Sequence, residues 1–438
     1  MKCERSVRSL DLPTAPAPYA AMSESFSADV IVAGAGMAGA TLALSLHHGG
    51  LKAVLVDPQP FASQLEPTFD GRSSAVAFST FRAWDAIGVG AAMRPDAQRI
   101  DQILVTDGRR PGAASRGQTP FFLHFDSAEI ADRVGSEPLG YMMENRRVRA
   151  ALSAAIERAG IEVLAPARVT GVEREPGRAK VMLADGRILT APLVVGAEGR
   201  ASVVRQAAGI GVIGWPYGQS GVVATVKLEK PHKGVAHEYF LPSGPFAILP
   251  LTEDRASLVW TEKTEAAEAL RGARPEVLAS LLSRRFGPFL GKVEVVGPTF
   301  VYPLSMQLAE RMVAPRVALL GDAAHAIHPI AGQGLNLGLK GSAALAQVLV
   351  EAMRLGEDIG SEAVLDRYAR WRRFDIIAVA GMMEVFTRLF SNDIPLVRAA
   401  RGVGMSLVNG IGPARRFFME EAGGATGDLP RLLRGQAL

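Results

Sequence analysis

The stretch that most constrains this chain is Gly34-Ala-Gly36-Met-Ala-Gly39, because of what flanks it. Before it runs Asp29-Val-Ile-Val-Ala33, short, apolar and β-branched, which suits a strand buried on both faces. After it comes a helical stretch to about His48, then a second apolar run, Lys52-Ala-Val-Leu-Val56, closed by Asp57. Three glycines at this spacing permit a tight turn, close approach of a pyrophosphate, and close packing of helix on strand. The helix start offers free N–H groups and a positive dipole end to phosphates, and an acid at Asp57 can accept hydrogen bonds from a ribose. The pattern predicts a dinucleotide site at Gly34, Gly36, Gly39 and Asp57 on a Rossmann-like α/β sheet. Packing alone would explain the glycines but not Asp57. The apolar run from Val30 to Leu46 is near the lower limit for a membrane span, but its glycines fit strand-turn-helix, so that reading is rejected.

The chain of 438 residues is long enough for two or three domains. A lone Cys3 excludes an internal disulfide framework and a Cys-based metal site, and it fits a reducing, cytoplasmic setting. A net charge of +4 gives no polyanion-binding character, so no nucleic-acid partner is expected. Residues 1–27 have basic residues and an Ala-x-Ala-like end but no apolar run between them. They read as a flexible extension, with Met22 as a second candidate start.

Further along, residues 99–107 read as one strand and 145–160 as an amphipathic helix stopped by Gly160. Short strands then alternate with turns at Pro176-Gly177 and Asp185-Gly186, and residues 215–262 read as a twisted antiparallel sheet. A buried strand returns near 316–320, and roughly 333–420 is helical, with breaks near Asp393–Pro395 and Gly410–Pro413. The order implies a discontinuous nucleotide-binding domain (28–95, 140–212, 302–390), an inserted mostly antiparallel domain (96–139, 213–301) and a C-terminal helical segment (391–438).

A second motif, Gly321-Asp322-Ala-Ala-His325, is followed by His328-Pro329-Ile-Ala-Gly332-Gln-Gly334-Leu-Asn336. A carboxylate closing a buried strand can accept a hydrogen bond from a polyol hydroxyl. The glycine-rich segment then opens a helix whose N–H groups could face the anionic N1–C2=O edge of a reduced flavin. Candidate binding residues are therefore Gly321, Asp322, Pro329, Gly332, Gly334 and Asn336. His325 and His328 lack an evident catalytic partner and read equally as groups that orient the loop. No nucleophile elbow, HExxH or Cys/His cluster is present, and no metal site is expected.

With these motifs in view, the chain resembles the FAD-dependent aromatic hydroxylases of the p-hydroxybenzoate hydroxylase class, and within them the ubiquinone-biosynthesis hydroxylases. Asp70-Gly-Arg72 resembles the group's DxR segment, and Glu144-Asn145 with Arg149 its EN…R helix start. Gly196-Ala-Glu198-Gly199 through Arg205, Tyr368-Ala-Arg370 through Asp375, and Thr387 through Ser391 match further segments. The resemblance implies FAD, reduced by a transient NAD(P)H donor, with O2 activated at flavin C4a and one oxygen transferred to an electron-rich ring. It adds Arg72, Arg149 and Glu198 as cofactor contacts, and it leaves Arg72, His328 and Pro329 as catalytic candidates. Glu198 departs from the family's usual Asp, which lengthens that side chain by one methylene. The implied substrate is a polyprenyl phenol, with peripheral contact at the inner face of a membrane and a quinone-biosynthesis complex as further partners. The alternatives are a hydroxylase of a small soluble phenol, a lipid reductase that does not use O2, and a non-catalytic FAD-binding subunit.

Other residues divide between functional and plain readings. Arg72 is a cofactor contact or an ion-pair partner of Asp70, and Arg205 a contact or a helix-face charge. Phe240, Leu241, Phe246, Ile248, Leu249, Val259 and Trp260 could line an apolar pocket or fill ordinary sheet core. Trp371 and Phe374 read as core. Arg398, Arg401, Arg415 and Arg416 could meet an anionic surface or simply be solvated.

Overall fold

In a computed structural model, the described residues are 28–107, 122–241, 243–390, 404, 405 and 407–438. The 1–27 extension, Arg398, Arg401 and the break at Asp393–Pro395 lie outside them.

The strand-turn-helix unit forms as its sequence requires. Strands Val30–Ala33 and Ala53–Val56 lie side by side and parallel, joined by helix Met37–His48. They sit inside a six-stranded sheet whose order is 313–314, 317–319, 193–196, 30–33, 53–56, 162–164. Alternation along the first strand sends Val30 and Val32 into one core and Ile31 and Ala33 into another. The first core packs helices Met37–His48, Asn145–Arg158 and Gln333–Arg354; the second packs a three-stranded meander, 169–191. Both faces are covered, so the strands are apolar throughout, as expected of a parallel sheet.

An eight-stranded sheet forms the other half, in the order 325–326, 293–309, 212–228, 255–263, 244–251, 235–241, 102–107, 122–126. It is antiparallel except where Val235–Leu241 runs parallel to Gln102–Asp107. One face packs on helices Thr264–Arg271 and Pro275–Phe286. The other faces back toward the nucleotide unit and helix Glu362–Phe390.

Two expected domain borders fall on continuous strands. Val212–Leu228 and Val293–Ala309 pair from Val212↔Ala309 to Leu228↔Val293, with register shifts between Pro216 and Ser220 and between Val223 and Thr225, and form one ribbon that passes from the first half into the second. The single strand expected over 99–107 is two strands in different sheets. Gln98–Ile100 pairs with Gly140–Glu144, and Gln102–Asp107 joins the large sheet, with Asp101 at the corner. The expected continuous helical region also breaks earlier than its prolines suggested. Gln333–Arg354 ends at Leu355, Gly356 adopts φ +72°, and the next helix starts at Glu362.

Candidate functional site

Each glycine of the first motif has a distinct physical reason. Gly34 has φ +103°, and a Cβ there would lie 2.4 Å from the Ala197 carbonyl oxygen. A Cβ on Gly39 would lie 2.0 Å from the Gly34 carbonyl oxygen, so helix and strand could not pack. A Cβ on Gly36 meets nothing within 4 Å and points into open space. Two glycines thus shape the loop, and the third leaves room above it.

That room belongs to a cavity of about 910 Å³ between the two halves. Gly36, Met37 and Ala38 line one end of it, and Gln333, Gly334 and Asn336 line it at the start of the second long helix. Neither helix has an N-terminal side-chain cap or a first-turn acid. Two uncapped helix starts therefore open on one space, a setting that favours anionic groups. Arg72, Arg200, Gly199, Gly321, Asp322, Pro329 and Gly332 lie on the same wall. Arg200 stands 3.8 Å from Asp322. These features fit the pyrophosphate and ring edge of a dinucleotide.

Several predicted residues stand behind this wall rather than on it. The Asp57 carboxylate accepts from the Ala35 N–H at 2.7 Å and from the Gln59 N–H at 2.8 Å, and so holds the glycine loop from below. Glu198 turns to the start of helix Val203–Ala207, accepting from the Val204 N–H and the Ser202 hydroxyl, both at 2.8 Å. Burial pushes its carboxyl up, partly offset by these donors.

Arg149 and Arg72 share one acceptor, Asp70. Arg149 Nη2 lies 2.7 Å from it and Arg72 Nε 2.8 Å, while Asn145 donates at 3.2 Å and the Tyr302 hydroxyl at 3.4 Å. Burial alone would raise the Asp70 carboxyl, but the Arg72 and Arg149 hydrogen bonds outweigh it and hold the group well below the usual range. Arg72 thus joins its two readings, ion-paired with Asp70 and also on the cavity wall, its guanidinium 4.9 Å from the Tyr302 ring centre.

His328 is fully buried off the cavity lining. Its Nδ1 accepts from the Ile330 N–H at 3.3 Å and its ring sits edge-on to Tyr217. Burial lowers His328 to about 4 and His325 to about 3, so both are neutral at neutral pH. The His328 ring, through its bond to Ile330, shapes the segment that carries Pro329 to the cavity. Arg205 is also buried and donates to the Ala323 and Arg200 carbonyls, tying the two glycine-rich turns together.

Asn336 has a structural task at the wall. Its Oδ1 accepts from the Ala77 N–H and its Nδ2 donates to the Ala75 carbonyl, both at 2.9 Å. The amide therefore imitates a neighbouring strand along Ser73–Ala77. Asn336→Ala leaves that buried N–H and half-buried carbonyl unpaired, and we expect a loss of about 2–3 kcal/mol in urea unfolding. Unfolding at the wild-type midpoint would contradict this clamp.

The other end of the cavity is apolar. Ile103, Val105, Leu123 and Phe125 from the sheet face Met382, Met383 and Phe386 from helix Glu362–Phe390. Alternation decides which of the expected sheet residues reach it. Phe240, Leu249 and Val259 line it, whereas Phe246, Ile248 and Trp260 point to the opposite core, with Leu241 packed against that core. Phe374, expected in the core, is 79% exposed, and Trp371 donates to the Asp428 carbonyl. Arg415 is ion-paired with Glu129 at 2.7 Å, while Arg416 is exposed. Among the described residues, no cluster of His, Cys, Asp or Glu could hold a metal ion.

Comparison with known proteins agrees with this geometry. A family model for an FAD binding domain matches residues 27–380. The chain is 42% identical over 438 residues to ubiquinone hydroxylase UbiL of Rhodospirillum rubrum, covering 99% of each. It is 33% identical over 398 residues to 3-demethoxyubiquinol 3-hydroxylase of Escherichia coli, covering 90% of this chain and 98% of that one. The solved structure of p-nitrophenol 4-monooxygenase PnpA from Pseudomonas putida matches with a TM-score of 0.73 over 90% of this chain and 97% of its own, at 20% identity, a likeness of fold. The dinucleotide is FAD, and the chain belongs to the FAD-binding family of flavoprotein hydroxylases that includes these two relatives.

Proposed function

We propose that the protein hydroxylates the aromatic ring of a polyprenyl phenol in ubiquinone biosynthesis, with FAD, O2 and electrons from NAD(P)H. The observation that carries this reading is the single cavity joining two uncapped helix starts to a long apolar end. The names of the relatives supply the pathway. When bound, FAD supplies the electron transfer and O2 activation.

The chain's own residues have simpler tasks. The N–H groups after Gly34 and Gly36, with Gly39 fixing the helix behind them, would hold the pyrophosphate, and Asp322 at Gly321 would take a polyol hydroxyl. The segment Pro329, Gly332, Gly334 and Asn336 would place the second helix dipole against the pyrimidine edge of the flavin, where it stabilises negative charge. Arg72 adds positive charge on the same wall. Asp57, Arg149, Glu198 and His328 act one layer back by fixing the groups in front of them. The apolar end would enclose the ring and the prenyl tail and exclude water, which would otherwise divert oxygen to peroxide.

The outer face of helix Glu362–Phe390 extends the argument to the membrane. Its inner face lines the cavity with Val379, Met382 and Phe386, while Phe374, Ile377 and Val385 are 79%, 59% and 60% exposed. An apolar stripe outside the apolar end of the cavity suits peripheral contact where a prenylated phenol resides. No described helix is long and apolar enough to cross a membrane.

The test is the quinone-lipid profile of source cells with the gene deleted and then restored. Loss of ubiquinone, with accumulation of a prenylated ring lacking one oxygen, supports the reading. An unchanged profile with no compensating relative contradicts it.

A further inference from the structure

Outside the cofactor end, the cavity wall carries one unexplained acid. Strand Val235–Leu241 alternates, so Ala236, Glu238 and Phe240 share a face, while Tyr239 belongs to the core behind. Ala236, Glu238 and Phe240 all line the cavity, and Phe240 stacks on Phe390, another lining residue. In register, Glu238 lies between Val105 on one neighbouring strand and Ala247 on the other, both lining residues. Among the described residues, it is the only carboxylate that this sheet contributes to the lining. Among the described residues, no side chain or backbone group hydrogen-bonds or ion-pairs with it. The remaining charged lining residues, Arg72, Arg200, Asp322 and Glu421, have interactions of their own.

An unpaired carboxyl on an apolar wall costs stability unless something else satisfies it. Nothing in the pairing of this strand calls for it, since its directly paired neighbours Val105 and Ala247 and its strand neighbours Ala236 and Phe240 are all apolar. An aryl ring with a hydroxyl, entering this part of the cavity, would bring a polar group to a wall whose one carboxyl is Glu238, with the Thr261 hydroxyl two strands away. We infer that Glu238 is the substrate anchor: its carboxyl hydrogen-bonds the hydroxyl of the bound phenol and so fixes which ring edge faces the cofactor end. Burial pushes this carboxyl up to about 8, so at neutral pH it carries its proton. In that form it can donate to the substrate oxygen and accept from its hydroxyl. The uncharged acid also avoids placing a bare anion beside the prenyl tail. Neighbouring His237 also borders the cavity, but alternation turns its ring toward Tyr239 and Phe289 on the other face.

The inference rests on the phenol reading above, and the experiment separates the two. The probe is a geranyl-substituted phenol, offered to purified FAD-loaded full-length enzyme with NAD(P)H. The enzymes compared are wild type, Glu238→Gln and Glu238→Leu, and hydroxylated product and released peroxide are measured together. FAD content and thermal unfolding establish that each variant is folded. Glu238→Gln keeps a donor and an acceptor, so its KM should stay within roughly threefold of wild type. Glu238→Leu loses the buried hydrogen bond, so its KM should rise roughly tenfold or more, and most reducing equivalents should appear as peroxide rather than product. A Glu238→Leu enzyme with wild-type KM and coupling would overturn the anchor, as would a Glu238→Gln enzyme impaired as deeply as Glu238→Leu. Wild-type enzyme that neither binds nor hydroxylates the phenol would overturn the function on which the anchor rests.

Discussion

Gly36→Val is expected to give folded protein that purifies without the yellow colour of bound flavin. Gly36 has φ −62°, a conformation open to any residue, and an added Cβ meets no atom of the protein within 4 Å. The substitution therefore costs the apoprotein little, and thermal unfolding of flavin-free wild type and variant should coincide. What changes is the space above the loop. A branched side chain would stand between the pyrophosphate and the helix N–H groups. Two charge-assisted hydrogen bonds at about 1.5–3 kcal/mol each correspond to a loss of roughly a hundredfold or more in FAD affinity. Gly34→Ala and Gly39→Ala should fail differently. There the new Cβ overlaps backbone oxygens, so stability falls along with flavin content. Full flavin occupancy in Gly36→Val would remove the pyrophosphate from this loop.

The second large effect is expected at Asp70. Asp70→Ala leaves Arg149, whose side chain is only 10% exposed, without its carboxylate, and Arg149 Nη1 is already unpaired in the structure. Breaking a buried pair by removing one partner costs about 3–5 kcal/mol. The pH dependence has a definite sign. The folded-state carboxyl lies below its unfolded value, so the stabilisation is fully present above the unfolded pKa of about 4 and is lost as pH falls toward the folded value. Urea unfolding of wild type and variant should therefore differ by a constant amount from pH 6 to 8, and the two should converge at acid pH as roughly pH 4 is passed. A difference that grows as pH falls would contradict the charge pairing. Flavin content should fall in parallel, because Asp70 also holds Arg72 at the wall.

These two cases show what could be read from the sequence and what could not. The glycine loop was legible because its constraints are local: spacing, strand before, helix after. Its third element was legible only in type. Asp57 was expected to meet a ribose, and the structure gives its carboxylate a further task, holding the Ala35 N–H beneath the loop. Sequence places an acid at the end of a strand, but only the fold shows which backbone donors its carboxylate also holds. Glu198 likewise turns to donors nearby, the Val204 N–H and the Ser202 hydroxyl.

Long-range facts were hidden. Phe240 and Phe246 look alike in an apolar run, and only strand register sends one to the cavity and the other to the far core. The pairing of Val212–Leu228 with Val293–Ala309 joins segments far apart in the chain, so the domain borders could not be placed by local pattern. The corner at Asp101 divides one apolar run between two sheets without a glycine or proline to mark it. Phe374 looked like core because its helix is apolar on two faces, and only one of them is covered. A signal for Glu238 was present in the sequence, as a charged residue inside the alternating run Val235–Leu241. Its meaning depended on knowing which face was the cavity.

The most direct test of the whole account is the origin of the oxygen in the product. Purified FAD-loaded enzyme would be given NAD(P)H, a short-tailed prenylated phenol and isotopically heavy O2, and the organic product analysed by mass spectrometry. One heavy oxygen in the product, on the ring, with one NAD(P)H consumed for each product formed, is the predicted result. A product without heavy oxygen, or flavin turnover that leaves the phenol unchanged under O2, would contradict ring hydroxylation as the function of this site.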